Sequence, residues 1–176
     1  KKTLEEIGKK YNITRERVRQ IENHSLTTVR KSKAYKEGEP VFTELKSLLL
    51  NLGGIVSEKD LLSHLSKDQG TQNHFHFLLV IGEDFKREKE DEEFKHRWHV
   101  NEELAKQVED SLKKLYLGLS DDDLLIESEI VNKFLSHLES VAEKYKNQEV
   151  IRRWLSLSKT LGKNAMGEWG VAHSSN

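Results

Sequence analysis

The sequence predicts a mainly helical α+β protein, and three observations support that fold class. The chain of 176 residues is 35% hydrophobic and 34% charged, a balance that suits helix-rich globular domains. Apolar residues recur at helical spacing in most segments, and short alternating stretches follow them. An internal repeat occupies the chain beyond residue 40. The prediction is therefore a helical head followed by two similar α+β units.

The first 31 residues are predicted to form two helices. Thr3 and Glu6 make a capping box for a helix over residues 4–11, and Thr14 caps a second helix over residues 15–31.

A tight turn joins these helices in the pattern of a helix-turn-helix. Asn12 stands where the turn needs a positive φ, which asparagine tolerates better than most residues. Gly8 lets the helices approach closely, and Val18 and Ile21 face inward from the second helix. The spacing therefore predicts a helix-turn-helix at the start of the chain.

The outer face of the second helix has the chemistry that the major groove of DNA requires. At ~100° per residue, a polar stripe lies opposite the buried side and comprises Glu16, Gln20, Asn23 and Thr27. Amides pair with adenine edges and carboxylates with cytosine edges. Phosphate contacts are expected from basic residues at the rim, namely Arg15, Arg17, Arg19, Lys9 and Lys10. A basic helix pair that only packs on a protein is the alternative interpretation.

Charge is distributed unevenly along the chain, although the net charge is only −1. Residues 1–35 carry ten basic and four acidic side chains, a balance of +6, whereas residues 36–101 and 102–176 carry −4 and −3. A basic head on an acidic body indicates a polyanionic partner for the head.

The stretch TLEEIGKKYNITRERVRQIENHSL, which begins at residue 3, resembles region 4 of bacterial housekeeping sigma factors. Its core of Arg-Glu-Arg, a hydrophobic residue and Arg-Gln carries the resemblance, which extends over residues 3–30. In that family the helix-turn-helix binds the minus-35 promoter element. The resemblance implies that Arg15, Glu16 and Gln20 read bases and that Arg19 contacts the DNA backbone. The core-binding and melting regions of a complete sigma factor are missing, so stand-alone initiation activity is not expected.

The polar segment 32–40 holds the only proline of the chain and is predicted to be a linker. After it, KSLLLNLGGIVSEKDLLSHL matches KKLYLGLSDDDLLIESEIVNKFLSHL in the order of its elements, and both end in Leu-Ser-His-Leu. Trp98 and Trp169 stand near the ends of the two copies and are expected to be core residues beneath the wings. One unit was therefore duplicated, on this interpretation.

Each copy is predicted to contain a helix, a short strand, two helices and a hairpin, the order of a winged helix-turn-helix. The predicted domains are a helix-turn-helix (1–31), a linker (32–40), two winged helices (41–101 and 102–172) and a tail (173–176). The tandem pair also resembles, more loosely, the HARE-HTH domain of the RNA polymerase delta subunit and related chromatin or restriction-linked proteins. That resemblance, which depends on element order and the sequence GEWG, implies a transcription-associated context.

Individual positions specify the elements of the two copies. In the first copy, helical spacing relates Phe42, Leu45, Leu48, Leu49 and Leu52, and strand alternation relates Phe94, His96, Trp98 and Val100. In the second copy, helical spacing relates Leu104, Val108, Leu112 and Leu115. Caps are predicted for the later helices at Ser57, Ser128 and Asn147.

The two predicted winged helices differ in their suitability for DNA. The third helix of the first copy, residues 72–81, lacks lysine and arginine, and the wing REKEDEE is acidic, so a protein contact or spacer role is favoured. The second copy places Arg152, Arg153, Lys159 and Lys163 near its third helix and wing, which makes this group a possible second DNA surface.

Several classes of site are not indicated by the sequence. The chain has no cysteine, which excludes disulfides, thiolate metal sites and a cysteine nucleophile. The eight histidines do not have zinc-ligand spacing, and no phosphate-binding or nucleophile motif is present, so no metal, cofactor or catalytic residue is expected. No stretch has the ~20 apolar residues of a membrane span.

The expected function is that of a non-enzymatic bacterial transcription regulator that binds promoter-like double-stranded DNA in the cytoplasm, at the nucleoid. RNA polymerase is a possible partner, and the oligomeric state is left open. One alternative is an adaptor that docks on RNA polymerase. Another is the DNA-recognition part of a larger nuclease or modification protein.

Overall fold

The computed structural model describes residues 30–31 and 33–172 of the chain. In this part the protein is mainly helical, with seven α-helices and small antiparallel sheets. The helices are α1 Lys33–Glu37, α2 Glu39–Leu52, α3 Glu58–Leu65, α4 Gln69–Ile81, α5 Glu102–Leu117, α6 Glu127–Ser136 and α7 Gln148–Leu155, with a 3₁₀ turn at Glu143–Tyr145. The strands are β1 Ile55–Ser57, β2 Lys86–Glu88, β3 Arg97–His99, β4 Leu161–Lys163 and β5 Trp169–Val171. The two head helices, apart from residues 30–31, and the tail predicted at 173–176 lie outside the described residues.

The first unit runs from α2 to β3 around a single core. The apolar residues predicted for α2 are buried or half-buried in that core, which confirms the helix. The sheet has the order β1-β3-β2, and both pairs of strands are antiparallel, with Val56 and Arg87 opposite Trp98. Trp98 is 2% exposed and belongs to the same core as Phe75 of α4. Trp98 is thus a core residue beneath the hairpin, as predicted.

The second unit runs from α5 to β5 and repeats this order. Leu125 forms an isolated antiparallel bridge with Trp169, as Val56 pairs with Trp98 in the first unit. The buried apolar positions of the two leading helices have identical spacing: Val41, Phe42, Leu45, Leu49 and Leu52 in α2, and Leu104, Ala105, Val108, Leu112 and Leu115 in α5. This one-to-one match supports the predicted duplication.

Two of the three caps predicted for the later helices are confirmed. The Ser57 hydroxyl accepts a hydrogen bond from the Asp60 amide (3.2 Å), and the Asn147 side chain accepts one from Val150 (3.1 Å). The prediction for Ser128 is wrong, because α6 begins at Glu127 and has Ile126 at its N-cap without a side-chain hydrogen bond. The bridge at Leu125 fixes the chain immediately before this point, so the helix starts earlier than the hydroxyl would place it.

The predicted alternation along residues 94–100 is only partly found. Phe94 and Trp98 are buried, but Arg97 and His99 on the other face of β3 are buried as well. The second unit covers that other face. Both faces of the strand are therefore buried, whereas the alternation predicted one buried face and one exposed to solvent.

The segment predicted as a linker is helical over Lys33–Glu37. Tyr35 packs on Phe42 with ring centroids 4.8 Å apart, which brings α1 onto the first unit. The proline that indicated a linker instead stands in the first turn of α2, where a helix accepts proline because the amide there needs no helical partner. None of the helices in the described part is both long and apolar enough to cross a bilayer.

Candidate nucleic-acid interface

The residues predicted to touch DNA from the head lie outside the described residues. They comprise the base-reading positions Arg15, Glu16, Gln20 and Asn23 and the phosphate-contacting positions Lys9, Lys10, Arg17 and Arg19. Their roles remain predictions.

The described structure begins where this head joins the body. Arg30 donates a hydrogen bond from Nε to the carbonyl oxygen of Ile81 (2.9 Å), at the last residue of α4. The hydroxyl of Tyr35 accepts one from the amide of Glu83 (3.3 Å) in the following loop. A cation at a helix C-terminus meets the negative end of the helix dipole, so this hydrogen bond stabilises the contact of Arg30 with the end of α4.

The exposed side of α4 presents little that would attract phosphate. Its sequence contains no lysine or arginine. His76 is engaged by its own unit, with Nε2 2.9 Å from Oε1 of Glu58, and the His74 side chain is partly buried. These features are compatible with the predicted spacer or protein-contact role of the first unit.

Glu58 organises the neighbouring part of the first unit. Arg87 donates two hydrogen bonds to its carboxylate (3.0 and 3.1 Å), and the Trp98 indole donates a third (3.0 Å). Burial alone would raise the pKa of Glu58, but the hydrogen bonds from Arg87 and Trp98 and the nearby charges of Arg87 and His76 outweigh it and hold the pKa below its ordinary value. Glu58 therefore joins the start of α3 to the hairpin as a carboxylate.

The acidic wing of the first unit lies against the second unit. The amide of Lys95 donates to the carbonyl of Leu157 (3.0 Å), and the amide of Lys159 donates to the carbonyl of Glu93 (2.7 Å). These bonds flank a bridge between Phe94 and Ser158. The wing is thus used for a contact within the chain, which the sequence indicated only as a general protein contact.

A partly buried ion pair reinforces this contact. Arg97 is 5% exposed at its side chain and donates from Nε to Glu109 of α5 (2.7 Å) and from Nη1 to the carbonyls of Lys89 (3.3 Å) and Lys95 (3.1 Å). Removing a guanidinium from water is costly unless its donors are paired; here Nε and Nη1 donate three hydrogen bonds and Nη2 lies 3.9 Å from Oδ2 of Asp91.

The basic residues of the predicted second DNA surface are mostly paired with carboxylates. Arg152 donates twice to Glu127 (3.0 and 2.7 Å), and Lys163 Nζ lies 3.8 Å from the same carboxylate. The hydrogen bond from Arg152 is the main cause of a lowered pKa at Glu127. The side chain of Arg152 nevertheless remains about half exposed, so it still contacts solvent although its charge is paired with that of Glu127.

The other two residues of that group contact the first unit. Arg153 Nε lies 3.6 Å from Asp60, and Arg153 Nη1 donates to the carbonyl of Leu52 (3.4 Å). Lys159 donates from Nζ to the carbonyl of Asp91 (3.0 Å) and lies 3.9 Å from Glu90. The four cations therefore do not form one free patch. A role of these four residues in DNA binding stays a prediction, and their pairing weakens it.

Trp154 is the residue at this contact that sequence reasoning missed. Its side chain is fully buried in the core of the second unit, and its indole donates to the carbonyl of Gly53 (3.1 Å) in the first unit. A Cβ atom on Gly53 would lie 2.8 Å from that indole nitrogen. The pair Gly53-Gly54 was a visible signal, because two adjacent glycines often mark a close approach of backbone to another element.

Comparison with known families identifies only the head. Residues 1–31 match the family model described as Sigma-70, region 4. Region 4 is a non-catalytic DNA-binding domain that recognises promoter DNA, so this segment is related to transcription. The match agrees with the resemblance seen in the sequence but covers a small part of the chain. No curated protein and no solved structure gives a significant match, and the resemblance of the tandem units to HARE-HTH domains therefore stays a prediction.

Proposed function

We propose that this protein is a non-enzymatic bacterial transcription regulator whose head reads promoter-like DNA in the cytoplasm, while two winged helices form a body that carries the head. The match of residues 1–31 to Sigma-70 region 4 is the observation that supports this function. The charge balance of +6 over residues 1–35 supports it independently, because a polyanion is the natural partner of such a segment.

The contacts within the body support different roles for the head and the body. Wing and helix surfaces that bind DNA in many winged helices are here used for contacts between the two units, through Arg97, Arg153 and Lys159. The charges of residues 36–176 are predominantly acidic. DNA affinity is therefore expected to reside in the head, with the body providing position and a surface for other proteins.

The experiment compares binding of selected and random duplexes by fluorescence anisotropy. Duplexes are first selected from a random pool, and variants Arg15→Ala and Gln20→Ala are then measured on both kinds of DNA. Loss of a base-reading contact is expected to reduce discrimination by about 1–3 kcal/mol, or about 5-fold to 150-fold. Unchanged discrimination in both variants would overturn the proposed reading face.

Arg152→Ala is the matched control, because it removes the same charge from the body as Arg15→Ala removes from the head. It is expected to leave binding of both DNAs unchanged, since Arg152 is paired with Glu127. A loss of affinity for both DNAs with this variant would instead show that the second unit has a DNA surface of its own.

A second candidate function is an adaptor whose head docks on RNA polymerase without touching bases. The acidic body favours it, since such a surface does not assist DNA binding. Salt dependence separates the candidates. Release of counterions from about four phosphates gives a slope near −4 in a plot of log affinity against log salt, whereas a mainly apolar protein contact gives a shallow slope. An accessory role in a larger nuclease or modification protein would require a catalytic domain elsewhere in the full-length protein.

A further inference from the structure

The two units contain equivalent clusters of four polar side chains. Glu58 and Glu127 are the first residues of α3 and α6, and each stands two residues after the position that pairs with the tryptophan of its hairpin. A residue of the third helix and a residue of the strand opposite the tryptophan complete each cluster, and these two are separated by the same number of residues in both units. The clusters are Glu58, His76, Arg87 and Trp98 in the first unit, and Glu127, Arg152, Lys163 and Trp169 in the second.

The carboxylate of the first cluster contacts all three of its neighbours. His76 Nε2 lies 2.9 Å from Oε1 of Glu58, and Arg87 donates two hydrogen bonds to the same carboxylate. The indole of Trp98 donates a further hydrogen bond to it (3.0 Å). The polar atom of this buried tryptophan is therefore satisfied.

The second cluster has a different arrangement and leaves its indole unpaired. Glu127 accepts two hydrogen bonds from Arg152 and lies 3.8 Å from Lys163 Nζ. The indole nitrogen of Trp169 is buried and has no hydrogen-bond partner within the described part of the chain. Because an unpaired buried donor destabilises a protein, this arrangement of Glu127 leaves a second one available that would satisfy Trp169.

The backbone places Glu127 where its carboxylate can reach that indole. Leu125 and Trp169 exchange two backbone hydrogen bonds (2.8 and 2.7 Å), which fix the start of α6 beside Trp169 as the equivalent pairing fixes α3 in the first unit. Lys163 Nζ lies 3.8 Å from Glu127 and 6.0 Å from the centroid of the Trp169 ring. A change of rotamer at Glu127 therefore suffices to give Trp169 the hydrogen bond that Trp98 already has.

Arg152, which holds Glu127 in the observed arrangement, also lines an open cleft between α3 and α7. The volume of this inter-unit cleft is about 680 Å³, within the range of about 300–1,000 Å³ typical of sites for small molecules. Lys59 and Lys95 are exposed in it, and neither has an ion pair within the described part of the chain. The cleft is thus cationic although the body is acidic. Its charged lining residues are Lys59, Lys95, Arg152 and Arg153 against Asp60 and Glu149.

An anion in the inter-unit cleft would compete with Glu127 for Arg152. A phosphate group accepts paired hydrogen bonds from a guanidinium as a carboxylate does. Since Arg152 is about half exposed, a small anion can reach it without separation of the two units. Arg153 lies 3.6 Å from Asp60 across the cleft, and this ion pair keeps the walls close together. The cleft therefore suits a small anion better than the backbone of a DNA duplex.

We propose that the inter-unit cleft binds a small phosphate-bearing anion at Arg152, and that the released Glu127 then accepts a hydrogen bond from the Trp169 indole. Lys163 stays beside Glu127 in both arrangements, as Arg87 stays beside Glu58 in the first unit. Occupation of the cleft thereby changes a hydrogen bond in the core of the second unit. The proposal does not depend on DNA binding by the head.

NMR of the full chain during titration with inorganic phosphate tests the proposal, with chloride used to keep the ionic strength constant. The expected result is a saturable downfield shift of the Trp169 indole proton and slower exchange of that proton with solvent. The Trp98 signal is the internal reference and should not change, because its indole already donates to Glu58. Chloride alone is expected to leave both signals in place.

Variants separate the roles of the two partners. Arg152→Ala is expected to show the shifted Trp169 signal without phosphate, because Glu127 is then free, and to weaken phosphate binding at least about tenfold. Glu127→Ala should remove the response of Trp169, while the backbone amide signals of the cleft still respond to phosphate. Lys133→Ala is the matched control, because it removes an exposed cation of α6 that does not line the cleft, and it should behave like the unmodified chain.

Three results would overturn the proposal. The first is a Trp169 signal that does not respond to phosphate, or that responds equally in Arg152→Ala. The second is an Arg152→Ala signal that stays at the unshifted position without phosphate. The third is a shift of Trp169 caused by a short DNA duplex and lost in Arg152→Ala, which would assign the cleft to DNA instead of a small anion.

Discussion

Replacement of Gly53 by alanine tests how the two units are joined. Gly53 ends α2 at a φ of +132°, a conformation that side chains with a Cβ rarely adopt. The new Cβ would lie 2.8 Å from the indole nitrogen of Trp154 and 3.1 Å from Val150 Cγ1. Since Trp154 is fully buried and donates to the Gly53 carbonyl, it has no free space into which it can move.

The expected loss of stability has three contributions. Alanine at a positive φ costs about 1–2 kcal/mol, and forcing an extra carbon into a packed contact costs about 1–3 kcal/mol. Displacement of the indole also removes a hydrogen bond worth about 0.5–1.5 kcal/mol. Gly53→Ala is therefore expected to lower the free energy of unfolding by about 3–6 kcal/mol.

Gly167→Ala is the matched control for the backbone contribution. Gly167 also has a positive φ, +86°, but a Cβ there would meet only Lys163 Cε at 3.8 Å. Urea titration measures both variants, and Gly167→Ala is expected to lower the free energy of unfolding by only about 1–2 kcal/mol. The three tryptophan indoles of the chain are expected to give separate NMR signals, and only Gly53→Ala should shift that of Trp154. Equal losses of stability and an unshifted Trp154 signal would refute the reasoning.

Two further predictions concern single contacts. Glu58→Gln is expected to lower the free energy of unfolding by about 1–3 kcal/mol near pH 7. The folded state holds the pKa of Glu58 below its ordinary value. The stabilisation by this carboxylate is therefore complete above the unfolded pKa and is lost as pH falls through the folded pKa. Urea titrations near pH 7 and about pH 3 should show that Glu58→Gln costs less stability in acid. A penalty that does not change with pH would contradict this. Asn147→Ala is expected to cost about 1 kcal/mol because it removes a cap, whereas Ser128→Ala should change thermal stability by less than about 0.5 kcal/mol; equal effects would show that Ser128 has a role the structure does not give it.

Local patterns in the sequence predicted much of the body. The apolar spacing of α2 and α5, the caps at Ser57 and Asn147 and the burial of Trp98 and Trp169 all depend on residues within one element or one turn. Such features are determined by side-chain periodicity and short-range hydrogen bonding, which a sequence displays directly. The repeat was predicted for the same reason, since each proposed copy shows these local patterns.

The contact between the units was not visible, because it depends on residues far apart in the chain. Nothing near Arg97 shows that its guanidinium is buried against Glu109, and nothing near Trp154 shows that its indole reaches Gly53. The alternation predicted for β3 failed at the same place, since an amphipathic strand was expected where both faces are covered. The apolar periodicity of one strand does not show which distant residues will pack against it.

The same long-range contacts change how the basic residues of the second unit are interpreted. In the sequence, Arg152, Arg153, Lys159 and Lys163 are a cluster near a predicted recognition helix and wing, which favours phosphate binding. In the structure, each of them lies near a carboxylate, and Arg153 and Lys159 reach across to the first unit. Binding DNA through these two would require breaking contacts that hold the units together, and the phosphates would then meet the carboxylates of Asp60 and Glu90 at close range. Residues 1–35, by contrast, carry ten basic side chains and only four acidic ones. DNA binding is therefore proposed for the head, and Arg30 contacts the body at the end of α4.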